Sequence, residues 1–333
     1  MLQDNISYIV WPLFGGLVLL TALLTGDATL PPVALSRPDA VTEVRGSTFP
    51  KTIIDPYNRK FVLTEPPRKV VSAMLATDEI VVDLLEHQRQ RIGAVTSLAG
   101  IADISNCARQ VEEQDLPKIP GLKVEPVVKM QPDLVIVSRL SDPQTILQLR
   151  QCHIRVFSVG RFDSLAEIRK NVITLGQVLG VEDRAEQIAN RMDKTLATVR
   201  AQTKELKDLP RVLYYDNGYT AGKNTVFDEL VRIAGGRNAA TEAGVTGYDM
   251  LPTEMVIAIN PDVVVIPQPL TTDIQKQIGR QKSFLENPLF GSLHAVQNKR
   301  VYVLPSQHLN SVSHHVAKAA VDLVQVLHPS VSR

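Results

Sequence analysis

Arg139, Lys223, His308 and the tyrosines Tyr215, Tyr219 and Tyr248 are the residues of this chain best suited to gripping a large ligand. Aromatic faces cover apolar surface, while cations and hydroxyl tips meet carboxylates, amides or phosphate. Met74 adds a soft, adaptable apolar contact. No catalytic constellation accompanies them. No G-x-G-x-x-G follows a strand, and neither a Walker motif nor a G-x-S-x-G elbow occurs. The histidines are scattered, with no compact His/Asp/Glu set for zinc or manganese capture. The adjacent pair His314-His315 opens the last helical stretch, where neighbours point in different directions, so it is expected at the surface and away from any shared ion. No metal ligand and no cofactor is expected, although Tyr219 or His308 offers an axial ligand were the cargo a haem. Cys107 and Cys152 read as two separate small apolar residues.

A second kind of chemistry comes from a repeat. Residues 124–137 read VEPVVKMQPDLVIV and residues 253–266 read TEMVIAINPDVVVI. In both, a Glu (Glu125, Glu254) stands seven positions before a Pro-Asp pair, and an apolar run follows. Pro132 and Pro261 lack a donor and cannot continue a helix, so each ends a short helix and launches a buried strand. Asp133 and Asp262 place a short acceptor where backbone amides are free. Glu125 and Glu254 fall in the first turn of their helices, where the dipole favours a carboxylate. One such Glu is an ordinary solvated helix start; two at one offset form a paired surface feature.

The elements that hold these residues follow from the alternation of apolar runs. A strand at 69–73 leads to a helix opened by Thr77, with Asp78 and Glu79 in its first turn. RIGAVTSL, DLVIVS and IRVFSVG are further strands, apolar on both faces, with helices between them. Doubly apolar strands alternating with helices mark parallel sheets covered by helices. From Asp163 to Leu206 the rhythm becomes helical for about 40 residues with one interruption, at Gly180, far beyond the usual helix, and reads as a rigid strut. Strand and helix then alternate again in the same order. The expected fold is α/β: two similar lobes with mostly parallel sheets, joined by one long rigid helix, with a ligand cleft between them. The boundaries are 67–162 for the first lobe, 163–208 for the linking helix and 209–333 for the second lobe.

In parallel α/β lobes ligands bind beyond the carboxyl ends of the strands. That selects Ser72 to Thr77, Thr96 to Asn106 and Ser138-Arg139 in the first lobe. In the second it selects Asp216 to Thr225, Ser306 to Ser311 and the facing loop Thr246 to Asp249. A length of 333 residues suits two domains. A net charge of +1 gives no reason to expect nucleic acid as a partner.

Residues 1–28 form a signal peptide or membrane anchor. Asn5 to Gly26 carry no charge, and the apolar part, residues 6–26, approaches the roughly 20 residues that span a bilayer. Gly26-Asp27-Ala28 offers a weak cleavage site. No Lys or Arg precedes the apolar run, and Leu24-Thr25-Gly26-Asp27 lacks the cysteine that accepts a lipid. The protein is thus expected outside the cytoplasm, periplasmic or extracytoplasmic, and not as a lipoprotein. Residues 29–66 read as a proline-rich tether with one short hairpin turning at DPYNRKF.

RKVVSAMLATDEIVVDLL, GLKVEPVVKMQPDLVIVS, the long helix, GYTAGKNTVFDELVRIAGGRNAA and EMVIAINPDVVVIP together resemble the ABC-transporter substrate-binding proteins for ferric siderophores and cobalamin. The resemblance covers about residues 67–328. It implies a metal-chelate ligand between the lobes, little hinge motion, and delivery to a permease and its ATPase; the chain is expected to act as a monomer. It also implies that Glu125 and Glu254 dock into arginine pockets on the permease. A haem-binding protein of the same fold is the alternative within that class. A membrane-tethered ligand sensor shares the fold without needing the two glutamates, and a two-lobed enzyme such as a chelatase needs a convergent His and Glu in the cleft that the sequence does not supply.

Overall fold

The structure, a computed structural model, describes residues 42–55, 60–268 and 274–330. The apolar segment, its cleavage site and the start of the tether lie outside the described residues, among which no helix is long and apolar enough to cross a membrane. Three short strands come first: β1 (Glu43–Arg45), β2 (Lys51–Ile54) and β3 (Lys60–Leu63), antiparallel in that order. They are more than a tether. Ile53 and Leu63 sit in the core of the first lobe. The Lys51 side chain is 1% exposed and donates to Gln177 O at 2.7 Å and to Glu182. Asp55 meets Arg150 at 2.5 Å.

The first lobe is β4 (Val70–Ser72), α1 (Leu75–Leu84), β5 (Ile92–Thr96), α2 (Ala108–Glu113), β6 (Lys118–Ile119), α3 (Val124–Lys129), β7 (Leu134–Val137), α4 (Pro143–Gln151) and β8 (Val156–Ser158). Its strands lie parallel in the order β6-β5-β4-β7-β8. After α5 (Leu165–Leu179) and α6 (Glu182–Thr203) comes the second lobe. It contains β9 (Arg211–Tyr214), β10 (Tyr219–Ala221), α7 (Val226–Ile233), β11 (Arg237–Asn238), α8 (Ala239–Glu242), β12 (Tyr248–Met250), α9 (Thr253–Ile259) and β13 (Val263–Pro267). It closes with α10 (Ile274–Leu285), α11 (His294–Gln297), β14 (Val301–Leu304), α12 (Ser306–Leu309) and α13 (Ala317–Leu327). Its parallel sheet runs β11-β9-β13-β14, and β10 pairs with β12 as a separate hairpin. The order β5-β4-β7-β8 thus recurs as β11-β9-β13-β14, with the repeated Glu–Pro-Asp segment feeding β7 in one lobe and β13 in the other.

The two aspartates of the repeat do matching work. Asp133 Oδ2 accepts from the amides of Arg68 and Lys69 at 2.8 Å, just ahead of β4. Asp262 Oδ2 accepts from the Arg211 amide at 2.8 Å, at the start of β9. The freed amides therefore belong to the neighbouring strand, and each aspartate pins the central strand of its sheet to the one beside it.

The linking region differs from the expected strut. Gly180, at φ 70°, ends α5 in the left-handed region that favours glycine, and the chain turns back into α6. Arg169 pairs with Asp193 at 2.7 Å, while a Cβ on Gly176 would lie 2.2 Å from that of Ala185. These contacts define an antiparallel hairpin. Helix α6, about 33 Å long at 1.5 Å per residue, runs through both lobes, while α5 gives the second core Ile168 and the first core Val172 and Leu175. Ala185, Ile188 and Ala189 enter the first core, and Met192, Leu196 and Val199 enter the second. Periodicity does not separate a strut from a hairpin when both helices bury a stripe of the same spacing.

Helix α1 also starts earlier than Thr77. Met74 precedes its first residue without a side-chain cap, and Asp78 and Glu79, expected in the first turn, are 0% and 2% exposed. The chain enters α1 straight from the sheet, which places those acids beneath the second lobe.

Because the hairpin needs a bare Cα at its crossing, Gly176→Ala should lower stability by about 1–3 kcal/mol. Adding Ala185→Gly should recover part of that loss, less the roughly 1 kcal/mol a helical glycine costs. Urea denaturation of the two variants measures both; an unchanged midpoint for Gly176→Ala would count against the close crossing.

Candidate functional site

The carboxyl edges of the two sheets face each other, as their contacts show. After β5, Asn106 Nδ2 donates to Gln307 O at 2.5 Å, in the segment that follows β14. After β8, the Leu165 amide donates to Glu229 of α7 at 3.0 Å. The first edge therefore meets the second in reversed order, with β5 opposite β14 and β8 opposite the β9–β11 side. What lies between is the middle of each edge. Met74 and the loop after β7 stand on one side, and the loop after β9 with the β10–β12 hairpin stands on the other.

The sequence-selected residues divide on this frame. Met74 touches both cores and forms part of the floor. Arg139 is exposed on the β7 loop, and Tyr219 is 36% exposed on β10. Lys223 is exposed, in a loop whose backbone is tied by Lys223 N to Val245 O at 2.9 Å. Tyr248 is half-buried on β12; burial, then the charge of Asp163, pushes its hydroxyl up to about 12. Tyr215 sits edge-on to Phe284 and Phe290, with ring centroids at 5.3 and 6.0 Å, as part of the second lobe's core, and burial raises its pKa. His308 Nδ1 lies 2.7 Å from Asp322, so it is held by a carboxylate. The loops 97–106 and 306–311 largely meet each other across the lobes and close one end of the groove.

Two groove residues escape the sequence reading. Met250, the cross-strand partner of Tyr219, is 64% exposed, and Leu140, next to Arg139, is 57% exposed. The signal was present in SRLSDP and GYDMLP, where a large apolar residue stands among turn-forming ones; an exposed apolar pair of this kind marks a contact surface.

Beneath the groove a buried polar seam joins the lobes. Glu79 accepts from the Asn106 amide at 2.7 Å, from Ser311 at 3.2 Å and from Ser313. Asp78 accepts from Thr96 Oγ1 at 2.5 Å. Burial pushes its carboxyl up to about 7, against hydrogen bonds from Ser72 and Thr96 that pull it down. One turn along α1, Asp83 Oδ2 lies 2.8 Å from His314 Nε2 and 3.1 Å from His315 Nε2. This corrects the expectation that the two histidines point apart at the surface. They lie on a tight 3-10 turn, His314–Val316, where both rings reach one carboxylate, and their side chains are only 9% and 15% exposed. Burial alone would raise Asp83, yet the two imidazoles outweigh it and hold the carboxyl well below the usual range. Burial lowers His314, which favours the neutral ring.

Glu125 and Glu254 are exposed in the first turns of α3 and α9. A helix packed on a parallel sheet runs against its strands, so both glutamates stand at the carboxyl edges, the side on which the groove opens.

Comparison with known proteins agrees with this geometry. The profile of a family described as periplasmic binding protein matches residues 70–308, well over half of the chain. An uncharacterised ABC transporter substrate-binding lipoprotein of Bacillus subtilis is 24% identical over 300 residues, 87% of this chain and 90% of its own. A cobalamin-binding protein of Halobacterium salinarum is 28% identical over 224 residues, 66% of this chain but only 59% of its own. A periplasmic heme-binding protein of Pseudomonas aeruginosa superposes with a TM-score of 0.65 at 25% identity, over 79% of this chain and 94% of its own. The Bacillus relative corrects one expectation. A protein similar over most of its length is named a lipoprotein, so the missing cysteine at residues 24–27 does not set this chain apart from lipid-anchored proteins.

The raised Asp78 carboxyl makes stability depend on pH. Between the ordinary carboxylate value and about 7 the folded chain holds a proton that the unfolded chain has lost, so stability falls as pH rises through that window. The protein should be more stable at pH 5 than at pH 8, by up to a few kcal/mol from this group. Asp78→Asn should flatten the dependence and raise the melting temperature at pH 8. Melting curves that are parallel for both proteins from pH 5 to 8 would contradict the burial argument.

Proposed function

The chain belongs to the periplasmic binding protein family and is the substrate-binding component of an ABC transporter; from that premise we propose that it captures a bulky metal chelate for import. Solute binding, and no catalysis, is the business of this family. The observation that carries the ligand class is exposed apolar surface on both carboxyl edges, Tyr219 with Met250 on the second lobe and Leu140, next to Arg139, on the first. A surface of this kind suits a wide ligand with an apolar face and peripheral carboxylates or amides, the chemistry of a ferric siderophore, a corrin or a porphyrin. Cobalamin and heme, which two of the similar proteins are named for binding, are of that kind. Met74 forms the floor, Arg139 and Lys223 meet polar groups at the rim, and Tyr248 shapes the wall. Tyr215 and His308 support these loops from behind.

The protein acts as a monomer, and its uncharged segment at residues 6–26 brings it to the membrane. There it delivers ligand to a permease driven by an ATPase. Glu125 and Glu254, one on each lobe, dock against cations on the permease.

Titration of the chain with cyanocobalamin, haemin, a ferric hydroxamate and a ferric catecholate, followed by ligand absorbance, should give saturable binding of at least one. Tyr219→Ala combined with Met250→Ala should weaken it by about tenfold or more, the order expected for losing two contact side chains. No binding of any of the four below the millimolar range would overturn the ligand class. Reversing both glutamates (Glu125→Lys with Glu254→Lys) should abolish uptake while affinity for the same ligand stays unchanged; normal uptake by that variant would refute the docking role.

A further inference from the structure

We propose that Asp83, His314 and His315 form a site for one divalent transition-metal ion, which clamps the two lobes together below the ligand groove. Asp83 comes from the last turn of α1 in the first lobe, and the histidines come from the 3-10 turn ahead of α13 in the second. One donor atom from each residue lies within 4.8 Å of the others. The two shorter separations, 2.8 and 3.1 Å to one carboxylate oxygen, are close to the roughly 3.4 Å between donors on a tetrahedral ion with bonds of about 2.0–2.1 Å. Small ring movements would let the ion replace the contact now made directly. The imidazole centroids are 4.1 Å apart and tilted by 37°, which leaves both rings turned toward the same oxygen.

His315 Nε2 is buried and lies 3.1 Å from the Asp83 carboxylate without hydrogen-bond geometry, and His314 Nδ1 is buried without a hydrogen-bond partner, an arrangement that costs stability. Supporting contacts fix the donors, as metal sites require. Gln110 Nε2 donates to Asp83 Oδ1 at 2.9 Å, Arg184 Nε donates to the Asp83 backbone carbonyl at 3.1 Å, and the His315 amide donates to Ser313 Oγ at 3.2 Å. Glu79 and the Glu86–Arg184 ion pair are the other charged groups nearby. Two imidazoles and one carboxylate favour zinc, nickel, cobalt or copper over calcium or magnesium. Three protein donors leave a fourth position for water, and the Asp83 and His315 side chains, each 15% exposed, leave a way in.

The site is distinct from the groove. Asp83 stands one helical turn beyond Glu79, with the serine contacts in between, and an ion there would join the lobes without touching the cargo.

The test uses the full chain, stripped with a chelator and dialysed, then titrated with Zn(II) against a chromogenic chelator and with Co(II) alone. One ion per chain should bind with micromolar or tighter affinity, Co(II) should show the visible band of a four-coordinate site, and Zn(II) should raise the melting temperature. His315→Gln should weaken Zn(II) by about tenfold or more and abolish the band, without lowering the melting temperature of the metal-free protein. Asp83→Asn should do the same to binding, whereas His294→Gln, at an exposed histidine elsewhere, should not. Absence of saturable Zn(II) binding, or binding that survives both His315→Gln and Asp83→Asn, would overturn the site.

Discussion

Helix α6 is buried in two cores at once, and the relation between the lobes depends on it. Its first half fills the first lobe with Ala185, Ile188 and Ala189, and its second half fills the other with Met192, Leu196 and Val199. A helix of this kind bends only by opening one of the cores, because close-packed interiors resist gradual deformation. The groove between the carboxyl edges is therefore set largely by packing, before any ligand arrives. The close crossing at Gly176 and the buried Lys51 from the amino-terminal sheet both bear on the α5–α6 junction.

A polar seam adds to that constraint. Charged groups in low dielectric cost free energy unless they are hydrogen-bonded, and Glu79 satisfies one oxygen with Asn106 of its own lobe and the other by reaching across to Ser311 and Ser313. Asp83 does the same toward His314 and His315. Separating the lobes would leave both carboxylates without these partners. The seam thus favours one lobe angle, in addition to the apolar area that α6 buries. Asp78 lies in the same region and is kept near neutral by burial instead of by a partner's charge.

Geometry then explains why the proposed ligand and docking residues share one side of the molecule. Parallel strands end, and the helices packed on them begin, at the same edge of a sheet. The loops that hold Arg139 and Tyr219 and the helix starts that hold Glu125 and Glu254 are products of that single rule. Two copies of the lobe, set edge to edge, give a groove flanked by two matching carboxylates. A permease that reads both glutamates would read the spacing of the lobes as well.

Much of this was legible in the residues alone. The repeat of Glu, Pro-Asp and an apolar run identified two equivalent lobes, and the doubly apolar strands identified parallel sheets, because these are local patterns of burial and backbone chemistry. The carboxyl-edge rule placed Met74 just after β4, Arg139 just after β7 and Lys223 in the loop after β10. What sequence could not supply was which surface meets which. Tyr215 in an aromatic cluster, the α5–α6 hairpin, the buried acids of α1 and the convergence of His314 and His315 on Asp83 all depend on contacts between residues far apart in the chain. Side-chain periodicity reports that a face is buried and is silent about its partner; only the packing of one lobe on the other decides that.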